Sequence, residues 1–299
     1  MTEYVCIDIG GTALKYGLAD AAGVFSDKRT VPSELQEKGA TALVEKVIGI
    51  VRDYQAEHAI QGVAISTAGI VDPEQGSIIY AMPHFPGYTG TPLARLISEA
   101  AGVFCTVEND VNCAGLGELW QGAGQGVDSL CCMTVGTGIG GCVLLQGKLV
   151  HGAAYSAGEV GYLRIGQQGS LEDLASTRQL VRQVAAAKGL DETAVDGRQI
   201  FAWAKAGDAI AVRGIDTMLH YLSLGMANIC YVLNPARIVL GGGIMEQQEY
   251  LAPRIQRAFA EVVIPAIAAH TDIAFARLGN DAGMTGALYN HLQRSVREK

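Results

Sequence analysis

The chain has 299 residues, 49% of them apolar and only 17% charged, which excludes a disordered acidic protein and leaves ample material for a buried core. That length exceeds what one hydrophobic core usually serves, so two domains with a ligand cleft between them are expected. A formal net charge of −8 without clustered Lys or Arg excludes an electrostatic nucleic-acid footprint. Seven cysteines, none in a CxxC pair, read as the reduced thiols of a cytoplasmic protein. The N-terminus shows none of the basic, apolar and small-residue segments of a secretory signal.

In chain order, YVCIDI reads as a buried strand, Gly10 and Gly11 as a turn, and ALKYGLAD as a second strand closed by AAG. From about Ala40 to Glu57, residues Leu43, Val47, Ile50, Val51 and Tyr54 recur at helical spacing, and GVAISTAG follows as a strand running into glycine. Strand, hairpin, helix and strand make an α/β domain. A second such unit starts after Val107. The uncharged run SLCCMTVGTGIGGCVLLQG is long enough to cross a bilayer. Five glycines and two threonines interrupt it, so two strands around a glycine turn are expected and no membrane partner. Setting IDIGGTALKYGL beside MTVGTGIGGCVL aligns Ile7 with Met133, Asp8 with Thr134 and Gly10 with Gly136, so one glycine-turn hairpin occurs twice. Between Arg213 and Leu233 a long apolar helical pattern runs to Asn234-Pro235, where proline blocks continuation. RIVLGGGI gives a strand stopping on three glycines, and GMTGALYNHLQRSVREK a terminal helix with basic residues near its carboxyl end.

The loops DIGGT, VGTGIGG and LGGGI all follow strands, where side-chain-free turns present amide N–H groups to phosphate or let a purine approach the backbone. One such loop is a weak signal, and tight hairpin geometry alone would account for it. Three in one chain carry more weight. Neither GxxxxGK[ST] nor a helix-opening GxGxxG is present, so P-loop and dinucleotide folds fit poorly.

Taken in order, DIGGTALKYG, VENDVNCAGLGE, VGTGIGG, AGEVGY and LGGGI resemble the ROK family of bacterial sugar kinases, a branch of the actin, hexokinase and Hsp70-type ATPase fold. The resemblance covers nearly the whole chain. It implies an α/β, two-domain actin-like ATPase (hexokinase/ROK) fold with the active site in the interdomain cleft, residues 1–109 joined by helix 283–299 forming one domain and residues 110–282 the other. It also implies a homodimer, ATP and Mg²⁺. Asp8 would face the magnesium, often through water, with Gly10, Gly11 and Thr12 approaching the phosphates. Lys15 matches the motif lysine and would add a cation nearby, a structural lysine being the alternative. Gly136, Thr137 and Gly138 form the second phosphate turn, and Gly241, Gly242 and Gly243 lie against adenosine.

On the sugar side, Asp110 matches the catalytic aspartate, because a hydroxyl becomes a useful nucleophile only as its proton leaves to a carboxylate within hydrogen-bond reach. Without the resemblance, an Asp after Asn reads as a turn or helix cap. Asn109 matches a sugar-binding residue, and Glu108 alternates to the other side of the extended segment. Ser66, Thr67 and Gly69 match the loop lining the sugar side, while Glu159 and Glu172 match glutamates that bind sugar hydroxyls. His84 and Tyr88 stand where relatives often carry Asn and Trp. Many relatives hold a structural zinc with a histidine and three cysteines. Here Tyr162 and Ser170 occupy two of those positions and the other cysteines are missing, so no four-ligand site can be assembled and a zinc-free member is expected. Tyr162 also replaces a sugar contact.

The expected reaction is ATP-dependent phosphorylation of the 6-hydroxyl of a hexose, N-acetylhexosamine or β-glucoside. N-acetylmannosamine kinase, glucokinase and β-glucoside kinase remain open, since pocket shape rather than motif separates them. Two other classes compete. A sugar-sensing regulator of the same family would carry a helix-turn-helix domain before the first hairpin, for which no room is expected near Met1. A non-sugar ATPase of the actin or Hsp70 type would share the nucleotide clamp but not the END and AGE segments.

Overall fold

A computed structural model describes residues 2–296. The chain forms two units: the first takes in the residues up to 122, 151–156 and those from 280 onward, and the second 123–150 and 157–279.

The first unit opens with strands β1 (Glu3–Ile9), β2 (Ala13–Asp20) and β3 (Phe25–Pro32), followed by helix α1 (Leu35–Glu57) and strand β4 (Ile60–Thr67). A small hairpin of β5 (Ile70–Asp72) and β6 (Ser77–Tyr80), helix α2 (Leu93–Ala101), strand β7 (Phe104–Asn109) and helix α3 (Asp110–Gln121) complete its N-terminal part. The five-stranded sheet has the order β3-β2-β1-β4-β7, with β1, β4 and β7 parallel. Alternation along β1 sends Val5, Ile7 and Ile9 into a core with α1 and α2, while Cys6 joins Ala64 and Cys113 on the opposite face. The helix expected from Ala40 begins five residues earlier, but Gly39 breaks it with φ +75°. A side chain there would press on the Pro86 carbonyl that receives the Ala40 N–H, so regular helix starts where the apolar periodicity does.

The second unit repeats the plan. Strands β8 (Leu130–Val135), β9 (Ile139–Leu145) and β10 (Lys148–Leu149) precede helices α4 (Leu171–Ala175), α5 (Thr177–Lys188), α6 (Gly197–Lys205) and α7 (Ala209–Leu233). Then come β11 (Arg237–Gly241), α8 (Gln248–Val262), α9 (Pro265–Ala268) and β12 (Asp272–Phe275). Its sheet order, β10-β9-β8-β11-β12, matches that of the first unit strand for strand, so the internal repeat seen in two glycine hairpins extends to a whole sheet. The uncharged run around Cys131 is the β8–β9 hairpin, and among the described residues no helix is long and apolar enough to cross a membrane. Helix α7 starts on an Asp208 cap and stops at Asn234, left-handed at φ +44°, just before Pro235.

The last helix, α10 (Ala282–Ser295), returns to the first unit and covers the sheet face that carries Cys6 and Ala64, beside α3. The terminal helix was expected to run to Lys299; residues 297–299 lie outside the described residues. A division after Asn109, expected from the sequence, falls at the joint of β7 and α3, which lies wholly within the first unit because α3 packs with α10 against its sheet.

Candidate active site

In open α/β sheets, ligands bind beyond the carboxyl ends of parallel strands. Several candidates of the first unit gather there. Across β1, β4 and β7 the register sets Asp8, Ser66 and Glu108 in one row, and Ile9, Thr67 and Asn109 in the next. Side chains of the first row share the face covered by α10.

Ser66 Oγ donates to Asp8 Oδ1 at 2.7 Å. Lys15 stands opposite Asp8 in the hairpin ladder, its Nζ 3.4 Å from Asp8 Oδ2. The motif lysine is thus the aspartate's own counter-ion, and Ser66, fully buried, orients Asp8 rather than opening to solvent. Gly283, which drew no attention in the sequence, makes room for this carboxylate: a Cβ there would lie 2.8 Å from Asp8 Oδ1. Gly286 similarly admits the Cys113 carbonyl, where any side chain would overlap it. The available signal was GMTG, two glycines spaced to share a helix face, which reads as packing until its neighbours are known.

Thr67 is also buried, its Oγ1 2.6 Å from the Tyr88 hydroxyl. Tyr88, at a position where relatives often differ, is a fully buried core residue whose phenol is pushed up by desolvation. His84 is exposed and tilts against the Phe85 ring. Gly69, at φ +107°, backs onto the Tyr80 carbonyl and offers its own carbonyl to Asn109 Nδ2 at 2.9 Å.

Asn109 caps α3: Oδ1 accepts from the N–H groups of Val111 (2.9 Å) and Asn112 (3.0 Å), while Nδ2 also donates to Asp110 Oδ1 at 3.0 Å. These bonds occupy both lone pairs and both protons of the amide. The cap role that the sequence left open for Asp110 therefore belongs chiefly to Asn109. Asp110 itself begins the helix, where the N-terminal dipole favours a carboxylate, and its Oδ1 also receives Val111 N–H at 2.9 Å. Glu108, facing inward as alternation requires, is fully buried. It accepts from Asn109 N–H at 2.8 Å and Asn112 Nδ2 at 2.9 Å, and lies 2.8 Å from His151 Nε2.

In the second unit the β8–β9 turn closes through Gly136 N–H to the Gly138 carbonyl, 2.9 Å, as the first hairpin closes through Gly10 N–H to Ala13. Among the described residues, neither a left-handed φ nor a close neighbour demands glycine at Gly136 or Gly243. Gly242 differs, with φ +98° and the Val135 carbonyl where a Cβ would go. Glu172 Oε2 accepts Ile139 N–H at 2.9 Å, and Oε1 lies 3.4 Å from Arg178, so this glutamate braces the turn that holds Thr137. A side chain at Gly138 would strike the same carboxylate. Burial, and secondarily the charge of Glu172, raise the Glu159 carboxyl above its ordinary range. Tyr162, in a short 3₁₀ turn, is 70% exposed. Ser170 caps α4 in a capping box with Asp173, a role that leaves no place for a metal ligand. Tyr162 and Ser170 do not fit a zinc site, and no cluster of three or more His, Cys, Asp or Glu among the described residues is arranged to hold a metal.

Comparison with known proteins accords with this geometry. A β-glucoside kinase of Listeria monocytogenes is 31% identical over 99% of this chain and all of its own. A glucokinase of Halalkalibacterium halodurans is 31% identical over 95% of this chain and 93% of its own. The structure of a Streptomyces griseus ROK family glucokinase, in complex with glucose and AMPPNP, superposes with a TM-score of 0.81 at 29% identity, covering 96% of this chain and 98% of that one. The fold is the two-domain actin-like ATPase fold of the ROK hexokinases and glucokinases. With the ROK family model matching residues 4–294, the chain belongs to the ROK family.

Proposed function

We propose that the protein is an ATP-dependent carbohydrate kinase that phosphorylates the 6-hydroxyl of a hexose, an N-acetylhexosamine or a β-glucoside. The observation that carries this reading is the setting of Asp110: a carboxylate at the carboxyl end of three parallel strands, oriented by Asn109 and two residues beyond the row that holds Asp8. The acceptor oxygen attacks the γ-phosphorus, its proton passes to Asp110, and the bond to the bridging oxygen breaks to release ADP. A base of this kind contributes about 10²–10⁴-fold. The rest of the catalysis is positioning and charge neutralisation.

The turns at Gly10–Thr12 and Gly136–Gly138 offer amide donors to the phosphates, and Gly241–Gly243 gives adenosine a flat backbone. Gly136 and Gly243 support this assignment, since the protein's own packing gives no reason for their lacking a side chain. Asp8 fits magnesium: it is a hard oxygen donor beside a glycine turn, held by Ser66, and such an ion commonly takes one or two carboxylates and fills its shell with phosphate oxygens and water. When bound, the ion screens phosphate charge during transfer. Glu159 and Glu172 are the acceptors for sugar hydroxyls, with Tyr162 at the position that tunes the choice of sugar.

An ADP-release assay over glucose, mannose, fructose, N-acetylmannosamine, N-acetylglucosamine and cellobiose tests the reading. Release that requires one of these sugars and yields its 6-phosphate is expected. ATP turnover indifferent to every sugar would instead indicate an ATPase.

A further inference from the structure

We propose that His151 is a positioning residue for phosphoryl transfer, holding through Glu108 the strand–helix joint that presents Asp110; this role rests on the kinase reading above. His151 opens the segment 151–156, which belongs to the first unit although the residues on either side of it belong to the second. Its Nε2 lies 2.8 Å from Glu108 Oε2. The other oxygen, Oε1, accepts from Asn109 N–H and Asn112 Nδ2, both within four residues. His151 is therefore the partner that ties this buried carboxylate to a distant part of the chain.

The consequence reaches the base in two steps. Glu108 fixes the peptide N–H of Asn109, and the Asn109 side chain, fully committed to its cap and to Gly69, donates to Asp110 Oδ1. Once His151 is lost, the hydrogen bonds left to Glu108 among the described residues come from the joint itself, Asn109 and Asn112. Movement of Glu108 turns the Asn109 peptide and with it the direction of the Asp110 carboxylate. Misplacement of a reacting group by about 1 Å costs on the order of 10²-fold in rate.

The same pair is a source of pH dependence. The hydrogen bond to Glu108 raises the His151 imidazole above 6.5, against burial and the charge of Arg294, with a smaller contribution from Glu74. Arg294 is itself engaged by the Pro73 carbonyl and by Glu74 at 3.3 Å, and Tyr155 lies edge-on to the His151 ring at 6.3 Å. Below its pKa the imidazolium faces a buried carboxylate. Above it, a neutral donor remains and the charge pairing is lost.

Two measurements separate the pair from the kinase reading. NMR of the His151 ring in the full chain should show titration above 6.5 in wild type and a fall to 6.5 or below in Glu108→Gln, where burial and Arg294 are left to act. A ring titrating at or below 6.5 in both would overturn the pair whatever the activity. With the sugar that wild type phosphorylates fastest, His151→Gln should lower kcat by about tenfold to a hundredfold. Its KM for ATP should stay within about twofold, and the alkaline-side decline of kcat expected of wild type should be absent from it. The double variant Glu108→Gln/His151→Gln, which buries no unpaired charge, should fold like wild type and show the same kcat loss. Wild-type kcat in the folded double variant, or a loss carried wholly by KM for ATP, would overturn the positioning role. A wild-type protein that phosphorylates no sugar would end the kinase reading, with the NMR titration still deciding whether the pair exists.

Discussion

His291 ties the last helix to the strands that carry the site, and its protonation should set the acid limit of stability. The ring is 1% exposed, with Nδ1 3.1 Å from Thr106 Oγ1 and its faces against Tyr4 and Phe104. Burial, then the nearby charge of Arg294, lowers its pKa from 6.5 to about 4. The unfolded chain, with an ordinary histidine, binds the proton more readily between those values. The stability this neutral ring protects is therefore complete above pH 6.5 and drains away as pH falls through about 4. At about 1.4 kcal/mol per pKa unit, the loss is about 2 kcal/mol at pH 5 and about 3 kcal/mol once both states are protonated. The chain has two tryptophans, and Trp120 stacks on Tyr289 of α10, so urea unfolding followed by its fluorescence in a Trp203→Phe background reports on this unit. Between pH 7 and 5 the parent should lose about 2 kcal/mol more than its His291→Gln variant. Equal losses would mean that the ring is already protonated in the folded unit or is not buried as described.

Other substitutions probe the supports of the site. Gly283→Ala places a methyl group 2.8 Å from Asp8 Oδ1, so the magnesium concentration for half-maximal activity should rise and kcat fall about tenfold; an unchanged magnesium titration would contradict the placement of Asp8. Tyr88→Phe removes the partner of Thr67 Oγ1 in a buried setting and should cost about 1 kcal/mol in unfolding experiments, with both KM values unchanged. A kcat loss at full stability would instead put Tyr88 in the sugar pocket. Tyr162→Ala should reorder the ratios of kcat/KM among sugars while leaving KM for ATP alone; identical ratios would remove Tyr162 from the acceptor site.

The strands and the long helices were legible because their apolar periodicity is strong and their stops are chemical. Asp20 and Asn234 sit where their patterns end, and Gly39 where the pattern of α1 begins. The doubled hairpin, visible as two glycine turns, proved to be the visible part of two sheets with one topology, although β3, β10 and β12 are too polar or too short to be read from pattern alone. Motif order singled out Asp8, Asn109, Asp110 and Glu172 as candidates. It did not show which of them face one another. The inward turn of Ser66, Thr67 and Tyr88 depends on strand register with β1 and on the fold of the loop after β6, which single-strand patterns do not specify. Gly283 and His151 were missed for a related reason, since each is defined by a partner, Asp8 or Glu108, that lies far away in the chain and close in space.

Sugar-dependent ADP release by Asp110→Asn, measured beside wild type at saturating ATP, bears most directly on the proposed chemistry. Turnover should fall by about 10²–10⁴-fold while nucleotide affinity, measured by calorimetry, stays at the wild-type value. Undiminished turnover in that variant would show that the proton leaves the sugar by another route.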